Sequence, residues 1–440
     1  MVAMQRREFL AGALLAAQTA RGANDRVVVG LIGCGGRGRY VASKMRESPG
    51  VEFGAVCDIY QPNVDKAREW AGEKARGYGD FRKLLEQKDL DAVLIATPDH
   101  WHAITTILAL QAGKDVYVEK PLAHNIRECQ AMRTAALKSN RVVQTGTQHR
   151  SAPHYQEVQR MVQGGEIGEV KFVRVWNYLN MYPDGIGDAP DTEPPAGMDW
   201  DMFCGPAPKV PYNPKRHQAT YRWFRDYAGG FITDYGTHRF DTVHQIMGQD
   251  SPTSVVASGG RLLTKGAGDQ PDLMQVTYDY PGFILSYECN LLNGHGLGGR
   301  TPKIRYYNMH GVEDRPHGEG YYGTKGTIFA DRIGFEVYPE EAPMHKIAGA
   351  ENVQRKSMNT TDATGLHTAN FVECVRSRNK PLGEIEVGYR ATTVALLGNV
   401  ALAAGRKLNW DGAKGDFVND REASKLLGRH ARKPWDMITL

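Results

Sequence analysis

The chain has 440 residues, of which 41% are hydrophobic and 24% charged, and its formal net charge is +4. This is the composition of a folded globular protein, and the length predicts two domains. The small net charge, without a basic stretch interleaved with aromatic residues, argues against a nucleic-acid partner.

The N-terminus joins the arginine pair Arg6 and Arg7 to a short apolar run, 11–17. That run is much shorter than the roughly 20 apolar residues of a membrane-spanning helix, so we predict no membrane span. A charged start followed by small apolar residues is typical of a secretory signal, and the arginine pair indicates the twin-arginine route. We predict that residues 1–24 are a signal peptide and that the protein is exported to the periplasm. The alternative is an amphipathic first helix of a cytoplasmic enzyme.

A glycine loop follows the first predicted strand. Gly33, Gly35 and Gly38 come after an apolar β-branched run, 27–32, and before a helical pattern, in the order G-x-G-x-x-G. Between a strand and a helix, this order predicts a dinucleotide site. Gly33 permits the tight turn, Gly35 lets the backbone approach a pyrophosphate, and Gly38 lets the helix pack closely on the strand.

The second predicted strand ends in Asp58, 20 residues after Gly38. A carboxylate at this place accepts hydrogen bonds from the ribose 2′-OH and repels a 2′-phosphate, which favours NAD over NADP. Arg37 and Arg39 lie nearby and could soften that preference. The plainer alternative for Asp58 is a turn residue.

Strand and helix patterns alternate up to residue 148, which predicts an α/β domain with a doubly wound parallel sheet, 25–148. Ligands of such sheets bind at the carboxyl ends of the strands. The cofactor site is therefore assigned to the glycine loop and to residues near predicted strand ends. These are Gly33, Gly35, Gly36, Arg37, Gly38, Asp58, Thr97, Pro98, His102, Glu119, Lys120 and Gln148.

After residue 148 the pattern changes to a C-terminal α+β domain, 149–440, for substrate binding and oligomerisation. Its β patterns predict a large open, mainly antiparallel sheet. A stretch rich in proline, aspartate and aromatic residues, 180–228, reads as a long loop, and such loops usually have a function. A second loop is predicted at 291–325. The β patterns lie at 169–179, 253–260, 273–280, 283–290 and 326–331.

The six cysteines are irregularly spaced and form no C-x-x-C pair, which favours buried thiols over a zinc site or a disulfide framework. One cluster of possible metal ligands remains. No third ligand in this cluster has the helical spacing that would close a metal site, so we expect no metal. The cluster is Asp234, His238, Asp241 and His244.

In their order and spacing, the glycine loop, "TPDHWH", "EKP" and "GGFITDYGTH" resemble the Gfo/Idh/MocA family, the group of glucose–fructose oxidoreductase and inositol dehydrogenase. The resemblance covers about residues 26–435. It implies a Rossmann domain, a sugar, polyol or glycoside substrate, and a homodimer or homotetramer formed through the C-terminal sheet. It also implies that Lys120, Asp234 and His238 are catalytic. The known NAD-dependent α-N-acetylgalactosaminidases of the superfamily typically depart from "EKP", so the resemblance favours plain oxidoreduction.

The chemistry of these residues fits the oxidation of an alcohol. A helix starting near Asp234 would place Asp234 and His238 on one side, where the carboxylate fixes the imidazole tautomer and favours its protonated form. The imidazole would take the hydroxyl proton, Lys120 would stabilise the alkoxide, and NAD would accept the hydride. The alternatives are a packed histidine and a surface lysine. Further substrate contacts are assigned to Arg150, Tyr155, Tyr178 and Trp223.

Export narrows the function, because free NAD is not expected outside the cytoplasm. We therefore expect the cofactor to stay bound and to be regenerated on the enzyme, either by reducing a second sugar or by cleaving a glycoside through a 3-keto intermediate. A non-catalytic sugar-binding module that holds the cofactor is a third reading, against which Lys120, Asp234 and His238 argue. Without a signal peptide, an ordinary dissociable NAD dehydrogenase is favoured.

Overall fold

The structure is a computed structural model that describes residues 26–296, 315–341 and 344–436. The predicted signal peptide, 1–24, lies outside the described residues. Within the described ranges, no helix is both long enough and apolar enough to cross a membrane.

The N-terminal part is a six-stranded parallel sheet in the order β3-β2-β1-β4-β5-β6. Its strands are β1 (Val27–Ile32), β2 (Val51–Cys57), β3 (Arg76–Tyr78), β4 (Ala92–Ile95), β5 (Asp115–Val118) and β6 (Val143–Thr145). The connecting helices are α1 (Gly36–Arg46), α2 (Gln61–Ala71), α3 (Phe81–Leu85), α4 (Asp99–Gln111) and α5 (Ile126–Ser139). Strands β1, β4 and β5 are buried along their whole length, as expected for a sheet covered on both faces. The predicted doubly wound fold is confirmed.

The C-terminal part is built on a ten-stranded sheet in the order β14-β13-β12-β11-β7-β10-β9-β8-β15-β16. Its strands are β7 (Val170–Tyr178), β8 (Ser254–Gly260), β9 (Leu273–Tyr280), β10 (Phe283–Asn290), β11 (His317–Gly323), β12 (Gly326–Asp331), β13 (Gly334–Pro339), β14 (Lys356–Asn359), β15 (Leu408–Asp411) and β16 (Asp416–Phe417). Only β7 and β10 pair in parallel among the described strands of this sheet, so the predicted mainly antiparallel sheet is confirmed.

Helices complete this domain. They are α6 (Pro153–Gln163), α7 (Trp200–Cys204), α8 (Thr237–Met247), α9 (Thr364–Ser377), α10 (Ile385–Ala404) and α11 (Arg421–Lys425). Helix α8 packs against α10, and α10 packs against β8. The opposite face of the sheet carries the half-exposed side chains of Phe172 and Ile284 and the Arg174–Glu288 ion pair. Assembly of the protein through this face stays a prediction.

Strand β11 lies inside the stretch 291–325, which was predicted to be a loop, and that prediction was wrong for this segment. The strand contains Gly318 and Gly320, residues that are unfavourable in strands by propensity. A Cβ atom at Gly318 would lie 2.7 Å from the Trp176 ring, so the strand requires glycine where aromatic rings press on it.

The long loop 180–228, here named the excursion, is an ordered bridge between the two domains. The Asp199 N–H donates to the Ile59 carbonyl beyond β2 at 2.8 Å. At the start of α4, the indole N–H of Trp101 donates to the Met202 carbonyl at 3.0 Å. The excursion is therefore fastened to two carboxyl-end loops of the Rossmann sheet.

The larger of two hydrophobic cores among the described residues runs through both domains, from β1 to the C-terminal segment. The Trp435 ring packs edge-on against Trp101 of α4, with 4.7 Å between ring centroids. The guanidinium of Arg82 lies over the Trp435 ring, 5.1 Å from its centroid. The C-terminal segment thus returns to the N-terminal domain and packs beside the excursion.

Candidate active site

Two cavities meet where the domains face each other. The first, here the loop cavity, has a volume of about 560 Å³ and is lined by the glycine loop and Asp58. The second, here the inner cavity, has a volume of about 850 Å³ and is lined by Lys120, Asp234 and His238. Both volumes fall in the range of small-molecule sites. The cavities share the wall residues Gly36, Arg37, Ala96, Thr97, Ala219, Tyr221 and Arg222.

The glycine loop fits a dinucleotide phosphate. Gly33 has φ +91°, and a Cβ atom at Gly38 would lie 2.0 Å from its carbonyl oxygen, so both positions require glycine. A Cβ at Gly35 or Gly36 would meet nothing within 4 Å, because these residues face the open cavity. Helix α1 starts here without a side-chain cap and without an acidic residue in its first turn. Its N-terminal amides are therefore available to an anion.

Asp58 lines the loop cavity, as predicted from its place after β2. Its carboxylate accepts hydrogen bonds from the amides of Cys34 at 2.7 Å and Tyr60 at 3.0 Å. Burial raises the pKa of Asp58, and these hydrogen bonds oppose that rise. Arg39 and Lys66 line the same cavity. The carboxylate is thus fixed where a ribose would lie.

Replacing Asp58 with alanine should weaken NAD binding about tenfold or more and narrow the gap to NADP, because a charged acceptor for the ribose hydroxyls is lost. Titration of the purified variant with both nucleotides measures this. Asp65→Ala is the matched control, since Asp65 bonds only to Gln61 on the exposed side of α2 among the described residues. A wild-type protein that prefers NADP would show that Asp58 does not select the cofactor.

Asp234 lies between two cations. The Lys120 ammonium donates to Oδ1 and to the carbonyl oxygen of Asp234, both at 2.6 Å. On the other side, Nε of Arg222 lies 2.8 Å from Oδ2. Burial alone would raise the pKa of Asp234, but the charges of Arg222 and Lys120 outweigh burial and hold the pKa at about 2. Asp234 is therefore ionised at neutral pH.

His238 stacks on His149, with ring centroids 4.5 Å apart and ring planes at 23°. Its Nδ1 is buried and has no hydrogen-bond partner among the described residues. Burial, followed by the charges of His149 and Lys120, holds the pKa of His238 well below its usual range. The imidazole is therefore neutral at neutral pH.

This arrangement differs from the predicted one, in which the carboxylate lies beside the imidazole and favours its protonated form. Asp234 belongs to a π-helical turn, Ile232–Gly236, that precedes α8. The wider turn disturbs the i,i+4 alignment of an α-helix. Asp234 consequently bonds to Lys120, and His238 packs on His149.

Most of the residues predicted for the site line the two cavities. The Arg37 guanidinium donates to Glu119 at 2.9 Å, so the glycine loop and "EKP" are in contact. Gly38 lies behind the loop and packs on Gly33. The predicted residues that line the cavities are Gly33, Gly35, Gly36, Arg37, Asp58, Thr97, Pro98, Glu119, Lys120, Gln148, Trp223, Asp234 and His238.

Four residues predicted to contact cofactor or substrate instead have their polar atoms paired within the protein: His102, Arg150, Tyr155 and Tyr178. Each of these polar residues lies near a motif in the sequence. Its hydrogen-bond partner is either a side chain from a distant part of the chain or a backbone carbonyl. The partners are the Thr97 and Pro121 carbonyls for His102, Asp241 for Arg150, Glu319 for Tyr155 and Glu288 for Tyr178. In this structure they are packing residues.

The inner cavity also contains residues that the sequence analysis did not assign. Arg222 and Tyr221 come from the excursion. They directly precede the predicted Trp223 in the sequence, and this is the one feature of the sequence that could have indicated them as site residues. Arg332 and Asp362 form an ion pair at the cavity edge, from segments without a motif.

Comparison with known proteins agrees with the geometry. Residues 27–147 match a family model described as "Oxidoreductase family, NAD-binding Rossmann fold". Residues 153–280 and 347–437 match the partner model, "Oxidoreductase family, C-terminal alpha/beta domain". The N-terminal domain is thus a NAD-binding Rossmann domain.

Two enzymes are similar to this chain over a shorter stretch. An inositol 2-dehydrogenase from Salmonella typhimurium is 35% identical over 130 residues, which are 29% of this chain and 39% of that enzyme. An alpha-N-acetylgalactosaminidase from Shewanella oneidensis is 38% identical over 111 residues, 23% of this chain and 24% of that enzyme. The structure of a levoglucosan dehydrogenase in complex with NADH and levoglucosan has a TM-score of 0.65 and 18% identity, and the match covers 87% of this chain and 99% of that one. The structural likeness shows a shared fold.

Proposed function

Because the chain belongs to the Gfo/Idh/MocA oxidoreductase family, we propose that it transfers hydride between NAD and a hydroxyl-bearing carbon of a sugar or polyol. The observation that carries this proposal is the meeting of the NAD-binding loop cavity with the inner cavity that holds Lys120, Asp234 and His238. The inositol 2-dehydrogenase relative supports a sugar or polyol as the substrate class.

The inner cavity has the groups that this reaction needs. Neutral His238 accepts the hydroxyl proton at Nε2, since Nδ1 is buried. Lys120 donates to the substrate oxygen and stabilises the negative charge that develops there. Asp234 holds Lys120 in place through two hydrogen bonds. Bound NAD supplies the hydride acceptor.

We also propose that the cofactor stays bound during turnover. Residues of the excursion, among them Phe203, His217 and Tyr221, form one wall of the loop cavity. The excursion is fastened to the Rossmann domain, which favours slow release of a bound dinucleotide. Hydride taken from one sugar is then returned to a second carbonyl compound in the same inner cavity.

Retention of the cofactor is most useful if the protein works outside the cytoplasm. Replacing Arg6 and Arg7 together with lysine should leave the protein in the cytoplasm, because the twin-arginine pair is the feature read for export. Cell fractionation measures this, and Arg21→Lys in the same segment is the matched control. Unchanged localisation of the double variant would contradict export by this route.

Glycoside cleavage is a second candidate, favoured by the likeness to an alpha-N-acetylgalactosaminidase. In this chemistry, oxidation at C3 acidifies the C2 proton, loss of that proton expels the C1 substituent, water adds, and the hydride returns to C3. No net oxidation occurs, and the reaction is one of the exceptions to hydrolysis by two carboxylates. His238 is the available base for the C2 proton.

One experiment separates the two reactions. The purified protein is incubated in D₂O, without added nicotinamide, with aryl glycosides or with a sugar and a second carbonyl acceptor. We expect hydride transfer between the sugars and no release of aglycone. Release of aglycone with deuterium at C2 would replace the first proposal by the second. Turnover only when NAD is added would contradict cofactor retention.

A further inference from the structure

We propose that Arg222 of the excursion is a positioning residue of the active site, which shares the Asp234 carboxylate with Lys120 and so leaves Lys120 able to act on the substrate. This role rests on the proposed function and lies outside the motifs that identify the site. The residue faces both cavities, whereas Lys120, Asp234 and His238 line only the inner cavity.

The geometry gives each oxygen of one carboxylate its own cation. Lys120 bonds to Oδ1 of Asp234 at 2.6 Å, and Arg222 approaches Oδ2 to 2.8 Å. The Asp234 side chain is only 17% exposed, so charges here interact more strongly than on the surface. Arg222 is held by a short helical segment, Gln218–Trp223, in which its guanidinium also donates to the Ala219 carbonyl.

The charge of the cluster follows from this arrangement. An ion pair of Lys120 and Asp234 alone would have no net charge. With Arg222 added, the three side chains together carry one positive charge. That excess lies where the substrate oxygen becomes negative during oxidation, and a fixed cation there stabilises the transition state. Arg222 thus supplies the charge that Asp234 would otherwise take from Lys120.

The neighbouring groups extend the cluster to the start of α4. The Tyr221 hydroxyl donates to Asp99 at the start of α4 at 3.2 Å. Burial and then the charge of Asp234 raise the pKa of Asp99 to about 7, and Lys120 and Arg222 oppose this rise. The charged and titratable groups that act on Asp234 or are acted on by it are Arg37, Asp99, Lys120, Tyr221, Arg222 and Tyr287.

Removing the cation should change the pH dependence in a defined direction. Arg222 and Lys120 lower the pKa of Asp234, so loss of Arg222 raises it. Because that pKa is higher in Arg222→Ala, Asp234 becomes protonated at a higher pH than in the wild type. Ionised Asp234 is the active form, so this protonation lowers the rate. In Arg222→Ala the acid limb of kcat/KM, which His238 sets below about pH 6.5 in the wild type, should move upward once protonation of Asp234 adds to it. A residue that only supports the fold would not move this limb.

The test compares Arg222→Ala, Arg222→Lys and Arg222→Gln with Arg216→Ala. Arg216 is the matched control, because it belongs to the excursion but packs over the Phe224 ring at 4.4 Å and pairs with Asp226. We expect kcat to fall roughly 10²-fold in Arg222→Ala, the usual loss for one electrostatic donor. Lysine should restore most of the rate, glutamine should not, and Arg216→Ala should resemble the wild type.

Fluorescence titration with NADH gives a second readout that needs no substrate. Because Arg222 lines the wall shared by the two cavities, NADH affinity should fall about tenfold in Arg222→Ala and stay unchanged in Arg216→Ala. A wild-type kcat and acid limb in Arg222→Ala, or equal rescue by glutamine and lysine, would overturn the inference. A wild-type protein inactive on every sugar and polyol would instead contradict the proposed function.

Discussion

Replacement of His238 by alanine should lower kcat for sugar or polyol oxidation roughly 10²-fold or more, the usual contribution of general acid–base assistance. The side chain removed is the neutral base of the inner cavity, and the loop cavity is left intact. NADH affinity should therefore stay close to that of the wild type. Steady-state rates on a verified substrate, together with an NADH titration, measure both effects.

The pH dependence checks the same residue in the unmodified protein. Burial, His149 and Lys120 hold the pKa of His238 well below its usual range, so the base stays neutral as the pH falls. The kcat/KM for oxidation should consequently stay level down to about pH 6.5, the ordinary pKa of histidine, and fall only below it. His345→Ala, on the exposed surface, is the control variant. An acid limb of kcat/KM above about pH 6.5 that is present in the wild type and absent from His238→Ala would contradict a neutral base.

Replacement of Lys120 by alanine should reduce kcat by roughly 10²- to 10³-fold, because the cation that faces the developing alkoxide is lost. Asp234 keeps its contact with Arg222, so the carboxylate does not become an unpaired buried charge. The expected loss is therefore catalytic, with the melting temperature little changed. Rate measurements and thermal unfolding of the same preparation measure the two.

Two variants make this result specific. Lys83→Ala removes an exposed lysine of α3 that pairs with Glu86, and it should leave the rate unchanged. Lys120→Arg keeps the charge but replaces a compact ammonium by a planar fork, so only partial activity is expected. Near-full activity of Lys120→Ala would remove this residue from the mechanism.

The parts of the fold and site that could be predicted are those determined by neighbouring residues. Gly33 and Gly38 are required by the turn between β1 and α1, which lies within one short stretch of sequence. The alternation of strand and helix in the Rossmann domain is local in the same way. Lys120 and Asp234 are 114 residues apart, and their common site was predicted only through the family resemblance.

The parts that could not be predicted depend on distant partners. The Tyr178 hydroxyl bonds to Glu288, 110 residues away, and the Tyr155 hydroxyl bonds to Glu319, 164 residues away. A tyrosine near a motif looks the same in sequence whether it faces a ligand or a buried carboxylate. Arg222 was missed for the converse reason, because its partner is revealed only when the excursion folds against the catalytic turn.

The common hydrophobic core has a thermodynamic consequence. Since Trp435 packs on Trp101, and Trp101 also lines the loop cavity, the two domains share the side chains that stabilise them. Neither half can melt without exposing apolar surface of the other, which favours a single cooperative unfolding transition. A nucleotide that binds only the native N-terminal domain then raises the melting temperature of the whole chain, including the distant strands of the C-terminal sheet.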